Sequence, residues 1–241
     1  GLLLPLSTRL KSAEAAYILN TSGARLLFTV GEFLGVSYPE QLRGSNLPAL
    51  EQTILLSGDA AGTRSWADFL AAGETVEPGE VEQRAAALTP DDTLDILFTS
   101  GTTGKPKGVV TGHGQNIRTF ETWSATVGLR SDDNYLIINP FFHSFGYKAG
   151  WLAAIIRGAH MLPVKSFDLD EVLATIPRER ISMIPGPPTI YQSLLAHPRR
   201  GDHDLSSLRL AVTGAAPVPV ALVKQMREEL GFEVVVTAYG L

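Results

Sequence analysis

The chain has 241 residues, with 44% apolar and 19% charged residues and a formal net charge of −5. This is globular composition, long enough for one large or two small α/β units, and it holds no basic stripe of the kind a nucleic-acid polyanion needs. Cysteine is absent, which excludes disulfides, Cys-ligated zinc and thiol nucleophiles and accords with a reducing, cytoplasmic setting.

The chain opens on Gly1-Leu2-Leu3-Leu4-Pro5-Leu6, without an initiator Met or a basic leader. Pro5 breaks the apolar run, so the segment reads as the exit of a buried strand rather than a signal peptide. Other apolar stretches, such as Trp151 to Ile156, fall far short of the roughly 20 residues a bilayer crossing needs. No transmembrane segment is expected.

Strand-like runs then alternate with helical patterns. Apolar, β-branched stretches at 25–30, 94–99, 135–139, 160–164, 181–184, 208–213 and 233–238 each have the length of a buried parallel strand. Helical periodicity runs over 12–20, where Ala13, Ala16, Tyr17 and Asn20 share a face and Gly23 follows as a stop. A second helix is expected over 168–177, with Asp168 as N-cap and Leu169, Val172, Leu173 and Ile176 on one stripe. A third runs over 217–230, from a proline in its first turn to Gly231. The Glu- and Gly-rich segment from Gly73 to Asp92 reads as a surface helix and linker. The polar run Arg130-Ser131-Asp132-Asp133-Asn134 reads as a joint, giving an α/β fold of two helix-covered, mostly parallel sheets in subdomains 1–130 and 131–241. The strand ending at Tyr239-Gly240-Leu241 runs into a turn and stops, so both ends are expected to be cut from a longer chain.

The segment from Leu94 to Gly108 carries the strongest chemistry. A strand leads into Thr99-Ser100-Gly101-Thr102-Thr103-Gly104-Lys105-Pro106-Lys107-Gly108. Glycines let backbone N–H groups curl around an anion, hydroxyls add donors, and a lysine supplies a point charge for outer phosphates. Pro106 fixes its own φ and stiffens the turn that aims Lys107. The Walker pattern GxxxxGK[ST] is not met, because Pro106 follows Gly104-Lys105. The same residue types also build plain surface loops.

Phe98 to Gly108 resembles the AMP-binding signature of the adenylate-forming superfamily, which includes acyl-CoA synthetases, luciferases and the adenylation domains of peptide synthetases. Three further segments resemble motifs of that family in the expected order. Pro140-Phe141-Phe142-His143-Ser144-Phe145-Gly146 resembles its aromatic/His motif, in which aromatics line an acyl channel and the histidine meets the carboxylate. Thr213-Gly214-Ala215-Ala216-Pro217 resembles the adenine-binding turn; it also reads as an ordinary strand-to-helix turn. Thr237-Ala238-Tyr239-Gly240-Leu241 resembles the start of a motif whose Tyr stacks on adenine and whose following Thr and Glu, the main Mg²⁺ ligand, are expected beyond Leu241. Ile184 to Tyr191 resembles the segment beside the acyl pocket, and reads equally as a Pro-rich turn before a helix.

The resemblance implies a partial N-terminal domain of an adenylate-forming enzyme, an acid–thiol ligase, without its C-terminal domain. It implies ATP, Mg²⁺ and coenzyme A as cofactors and co-substrates, and a small-molecule carboxylic acid as substrate. It assigns Thr99, Ser100, Gly101, Thr102, Thr103, Gly104 and Lys107 to the phosphates. Gly214, Ala215, Ala216, Pro217, Tyr239 and Gly240 fall to adenine, and Phe142, His143 and Gly186 to the acyl end, with His143 and Lys107 as the catalytic pair. No metal ligand is assigned within the chain. The runs 141–150 and 185–192 look most like bacterial fatty-acyl-CoA synthetases, among them ligases for the ring-derived propionate of steroid catabolism. An amino-acid-activating domain would need an acid after Phe142, where Tyr147-Lys148 stands; a non-catalytic nucleotide-binding module is the other alternative. His113 is expected at a helix start, and His160, His197 and His203 in packing or at the surface.

Overall fold

The computed structural model describes residues 1–99 and 104–239. Contacts divide the chain into two units, Gly1–Gly114 and Gln115–Leu241.

In the first unit, helix α1 (Ser12–Ser22) begins where the Lys11 N–H donates to Glu14 Oε2 at 2.9 Å, and ends at Gly23 with φ +64°. Strand β1 (Leu26–Thr29) follows. A tight hairpin of β2 (Glu32–Phe33) and β3 (Val36–Ser37) turns at Leu34 and Gly35, both at positive φ, the signature of a two-residue turn matched to strand twist. Helix α2 (Tyr38–Leu42) leads to β4 (Gln52–Leu55) and β5 (Arg64–Ser65), which complete a parallel sheet in the order β1-β4-β5. Helix α3 (Trp66–Gly73) is capped by Ser65, whose Oγ accepts from the Asp68 N–H. Phe28, Trp66 and Phe69 form an aromatic cluster, with Phe28 edge-on to both and Trp66 stacked on Phe69. The exposed helix α4 (Glu80–Ala86) occupies the expected surface segment.

Strand β6 (Thr93–Phe98) corrects one expectation. It is no parallel strand feeding a helix but half of an antiparallel hairpin with β7 (Gly108–Gly112). The run Val109-Val110-Thr111 has the β-branched character of a strand, but its two flanking glycines hide it. Gly108 is required by closeness: a Cβ there would lie 2.9 Å from Ile96 Cγ2 and 3.2 Å from Phe98 Cζ. Leu3 adds a single parallel bridge to β6 at Asp95.

Helix α5 (His113–Val127) opens with the His113 N–H donating to Asp92 O. The second unit is built on a five-stranded, all-parallel sheet: β8 (Asn134–Ile137), β9 (His160–Pro163), β10 (Met183–Gly186), β11 (Leu210–Gly214) and β12 (Val234–Ala238), in the order β12-β11-β10-β8-β9. These match the expected strands to within about two residues. Strands β10 and β11 are buried throughout, as continuous apolar runs in a parallel sheet should be. Between β8 and β9 lie a short turn of helix α6 (Ser144–Gly146), a π-helical stretch over Tyr147–Leu152, and α7 (Ala153–Arg157). Helices α8 (Leu169–Arg178), α9 (Pro188–Ala196) and α10 (Val220–Glu228) make the later crossovers. Asp168 caps α8 as expected, accepting from the Glu171 N–H. Helix α10 starts three residues later than Pro217, because Pro219 holds the residue before it extended.

Leu173, Ile176, Tyr191, Leu194, Leu222 and Met226 cover one face of this sheet. On the other face Val127, Ala153 and Ala154 pack against Tyr135, Ile137 and Val212.

The segment 130–134 is not a joint, and the contacts divide the chain earlier than residue 130. Asp133 is 2% exposed and binds Arg209 through both oxygens, at 2.5 and 3.2 Å. It also accepts from Ser182 Oγ at 2.7 Å and from the Arg130 N–H at 2.8 Å. This cluster ties the amino ends of β8, β10 and β11 together. A polar run with charges reads as solvated in sequence, and Arg130 and Asp132 are exposed, but Asp133 has a partner far along the chain in Arg209. Removing one member of such a pair strands the other: Asp133→Ala should lower unfolding free energy by about 3–5 kcal/mol in urea denaturation. Glu51→Ala, which breaks the exposed pair with Arg25, should leave the midpoint unchanged.

Candidate functional site

In open parallel sheets the natural ligand crevice lies beyond the carboxyl ends of the strands, where successive connections leave in opposite directions. After β8 the chain steps to β9 on one side, while after β10 it steps to β11 and β12 on the other. The reversal therefore falls between β8 and β10. The segments that follow these strands are Ile138–His143, Pro187–Pro188, Ala215–Pro217 and Tyr239, so all four lie at one edge of the sheet.

A proline widens the reversal point. Strand β8 has four paired residues with β9, and β10 has four with β11, but β8 and β10 share only Tyr135 and Met183. Pro185, buried in β10, explains the difference. Ser182 O accepts from β11, so by alternation residue 185 turns its backbone toward β8. Asn139 Nδ2 donates to Pro185 O from that side at 3.3 Å. The proline nitrogen there has no hydrogen to give, so the ladder stops. On the β11 side Tyr191 donates its hydroxyl to Ile184 O at 2.8 Å and lies 3.2 Å from Val212 O. Burial pushes this phenol well above its ordinary pKa, which keeps it a donor.

His143 stands at the mouth of this opening. Its N–H donates to Pro140 O, and its carbonyl accepts from the Gly146 and Tyr147 N–H groups. Its Nδ1 accepts the Phe145 N–H at 3.1 Å. In the neutral ring the proton therefore sits on Nε2, leaving that nitrogen a hydrogen-bond donor on an exposed side chain. Gly146 makes the turn possible: a Cβ there would lie 2.2 Å from Pro140 O and 2.3 Å from Asn139 O. The π-helical stretch that follows is broken at Gly150 (ψ −105°) and is pinned by Tyr135, whose hydroxyl donates to Ala149 O at 2.9 Å. Phe142, beside the histidine, is half-buried.

Gly214 closes the opposite side of the same edge. A Cβ on it would lie 2.1 Å from Ala238 O on β12, so adjacent strands meet there with no side chain between them. Ala215 follows at φ +63°, a left-handed conformation that costs a residue with a Cβ. Ala215, Ala216 and Pro217 are exposed, and Tyr239, one residue past β12, is 88% exposed. Together they offer small, open backbone beside a free aromatic face.

In the first unit the stem of the β6–β7 hairpin is closed by the Thr99 N–H, which donates to Lys107 O at 3.0 Å. Its two lysines behave differently. The Lys105 ammonium sits 5.3 Å above the Tyr17 ring, and Tyr17 Oη lies 3.4 Å from Pro106 O. Lys107 is exposed and forms no ion pair among the described residues, so its charge is available to an anion. Ser100, Gly101, Thr102, Thr103 and Gly240 lie outside the described residues; Thr99 and Gly104 are exposed. Phe142, His143, Gly186, Gly214–Pro217 and Tyr239 share the edge of the second unit's sheet, whereas Thr99, Gly104 and Lys107 belong to the first unit. Sequence reading gave no role at the site to Tyr17 or Asn139, and took Pro185 only as part of a Pro-rich segment. Proline within a run otherwise reading as a central strand was the available signal for the last. No group of three His, Asp or Glu side chains that could hold a metal occurs among the described residues. None of their helices is long and apolar enough to cross a membrane.

The two close-approach glycines give a direct check on this edge. Gly146→Ala and Gly214→Ala should each cost at least about 1–3 kcal/mol in chemical denaturation, because backbone rather than a flexible side chain must move. Gly201→Ala, at a glycine with open space around it, should be neutral.

The model for the family described as AMP-binding enzyme matches residues 1–241. The chain is 47% identical over 99% of its length to 3-[(3aS,4S,7aS)-7a-methyl-1,5-dioxo-octahydro-1H-inden-4-yl]propanoyl:CoA ligase of Rhodococcus jostii. It is 50% identical, again over 99% of its length, to the ligase of the same name from Mycobacterium tuberculosis. It spans about half the length of these curated relatives, 47% of each. Among solved structures it resembles the anthranilate CoA ligase AuaEII in complex with anthranoyl-AMP (TM-score 0.83, 31% identity, 97% of this chain and 44% of that one). It also resembles the N-terminal domain of FACL13 from Mycobacterium tuberculosis (TM-score 0.80, 27% identity, 99% of this chain and 56% of that one). With its parallel sheets and its match to the family model from end to end, the chain belongs to the AMP-binding enzymes.

Proposed function

We propose that the protein carrying this chain activates a carboxylic acid with ATP and passes the acyl group to coenzyme A, and that this chain supplies the phosphate loop, the adenine shelf and the acyl-carboxylate end. The observation that carries the reading is the convergence of His143, Gly186, Gly214–Pro217 and Tyr239 at the carboxyl edge of one parallel sheet, at its point of reversal. In the first step a carboxylate oxygen attacks the α-phosphorus of ATP and pyrophosphate leaves. In the second the thiolate of coenzyme A attacks the acyl carbonyl carbon and AMP leaves.

The roles are those the family resemblance implies, and geometry and charge support them. Lys107 neutralises charge on the outer phosphates, supported by the amides and hydroxyls of 99–104. His143 offers its Nε2–H to an oxygen of the reacting carboxylate and holds it in line. Tyr239 and the open backbone at Gly214–Pro217 receive the flat base. Mg²⁺ suits a triphosphate and is held by few protein oxygens; the described residues provide no cluster for it. Phe142, half-buried beside the histidine, suits a fatty or ring-borne acid. The identity to ligases named for a bicyclic propanoate favours a propionate side chain on a fused ring. A cytoplasmic setting accords with the ATP requirement and the absence of cysteine.

The test is acyl-CoA formation by the full-length protein over straight-chain acids and fused-ring propanoates, with two variants measured separately. His143→Ala should reduce kcat/KM for the acid about 10–100-fold, the loss of one hydrogen bond to a charged group, while leaving KM for ATP near its original value. Lys107→Ala should reduce adenylation through ATP and leave the fold intact, since its side chain is exposed. Fused-ring propanoates should be the better substrates. Unchanged kinetics in both variants, or no thioester from any acid, would refute the assignment.

A further inference from the structure

One buried charge of the second unit has no part in the chemistry proposed so far. Among the unit's described residues only Asp133 and Lys148 are both charged and buried. Asp133 is tied to Arg209 at the amino edge of the sheet. Lys148, 6% exposed, belongs to the π-helical stretch Tyr147–Leu152, five residues past His143. Breaks of this kind in helical structure gather at functional sites.

The stretch covers one face of the β8–β10 opening. Met183 faces the Tyr135 and Ile137 side of the sheet, so by alternation Pro185 faces the same side. That side lies under the segment after His143. A Cβ on Gly150 would be 3.2 Å from Ile137 Cγ2, and Phe145, Trp151 and Ala153 pack with the same cluster. Tyr147, Lys148, Ala149 and Gly150 are all buried, so the stretch is enclosed all round and not only where it meets the sheet. Tyr147 stacks on Trp151 with ring centroids 4.6 Å apart, and the Lys148 ammonium lies 5.7 Å from the Tyr147 ring. An ammonium is costly to hold in such a setting. It carries three donors, so a partner within the protein and a ligand oxygen can be held together.

We propose that Lys148 sets specificity by donating a hydrogen bond to an oxo oxygen on the body of the acid, remote from the carboxylate that His143 holds. Five residues of helix advance roughly 6–7 Å beyond His143. In a ring-borne propanoate the ring begins about 4 Å from the carboxylate, and an oxygen on it lies about 6–8 Å away. The two anchors therefore match the two ends of such an acid. A neutral oxygen costs less to bring under this aromatic cover than a second carboxylate. A plain hydrocarbon body would leave the buried donor without that oxygen, which is how a polar site rejects an analogue lacking one group. The role of Lys148 presupposes the acid activation proposed for the full-length protein.

The experiment compares kcat/KM of the full-length protein for a fused-ring propanoate carrying a ring oxo group and for the same acid with that carbonyl replaced by CH2. The oxo acid should be favoured about 10–100-fold, as one hydrogen bond from a charged group provides. Lys148→Met, similar in length and uncharged, should bring this ratio near parity, and Lys148→Arg, which keeps a charged donor, should retain part of it. Parity in the wild type, a result that needs no folded variant, would overturn the proposal. So would an equal fall for both acids in Lys148→Met with the ratio intact, which a packing role would give. A fused-ring dicarboxylic acid preferred over the oxo acid would also overturn it, since a second carboxylate would then be the partner. Absence of thioester from every acid would sink the acid activation and this role together, whereas brisk turnover without preference for the oxo acid would sink this role alone.

Discussion

A proline in the middle of a parallel sheet governs the second unit. Pro185 cannot donate to β8, so the ladder between β8 and β10 stops after one pair while its neighbours continue. The hydrogen bond lost is worth about 0.5–1.5 kcal/mol. Asn139 and Tyr191 restore polar contacts to the carbonyls on either side. The opening lies where the topology reverses, and its two lips are Ile138–His143 and Gly186-Pro187. Topology alone would mark this edge; the proline makes room there.

Closeness of backbone decides the small residues around that edge. Gly146 and Gly214 each face a carbonyl oxygen at a distance no Cβ tolerates. The small residues at 214–216 therefore have two separate reasons. Gly214 is small because β12 presses on it, whereas Ala215 and Ala216 are exposed and leave open surface. Only the second reason bears on a flat ligand. His143 shows the same layering: Gly146 sets the turn, the Phe145 amide sets the tautomer, and the tautomer leaves Nε2 as a donor.

Much of this was legible in the residues. The strands of the second unit declared themselves as apolar runs, most plainly β10 and β11, which are buried throughout and have no alternation to hide them. Asp168 and Gly23 marked helix ends through local chemistry that needs no tertiary context. What escaped depends on distant partners. The short strands β4 and β5 are held by pairing with β1 rather than by propensity, and β7 is masked by its flanking glycines. Asp133 reads as a solvated charge until Arg209, far along the chain, is folded against it. The run 99–108 reads as candidate anion-binding chemistry, through its glycines, hydroxyls and lysines. The antiparallel pairing of β6 with β7 was not legible, because strand direction is set by pairing and leaves little trace in one strand's residues. Tyr17 escaped for the same reason: its ring meets Lys105 only after α1 and the hairpin stem have formed.

A crystal structure of the full-length protein with a non-hydrolysable acyl-adenylate analogue bears most directly on the account. The base should lie against Gly214–Pro217 and Tyr239, and the acyl oxygen should be within hydrogen-bond reach, about 2.6–3.2 Å, of His143 Nε2. A ligand seated away from the β8–β10 opening, with His143 turned from it and the 214–217 backbone uncovered, would contradict the claim that this edge is the adenylation site.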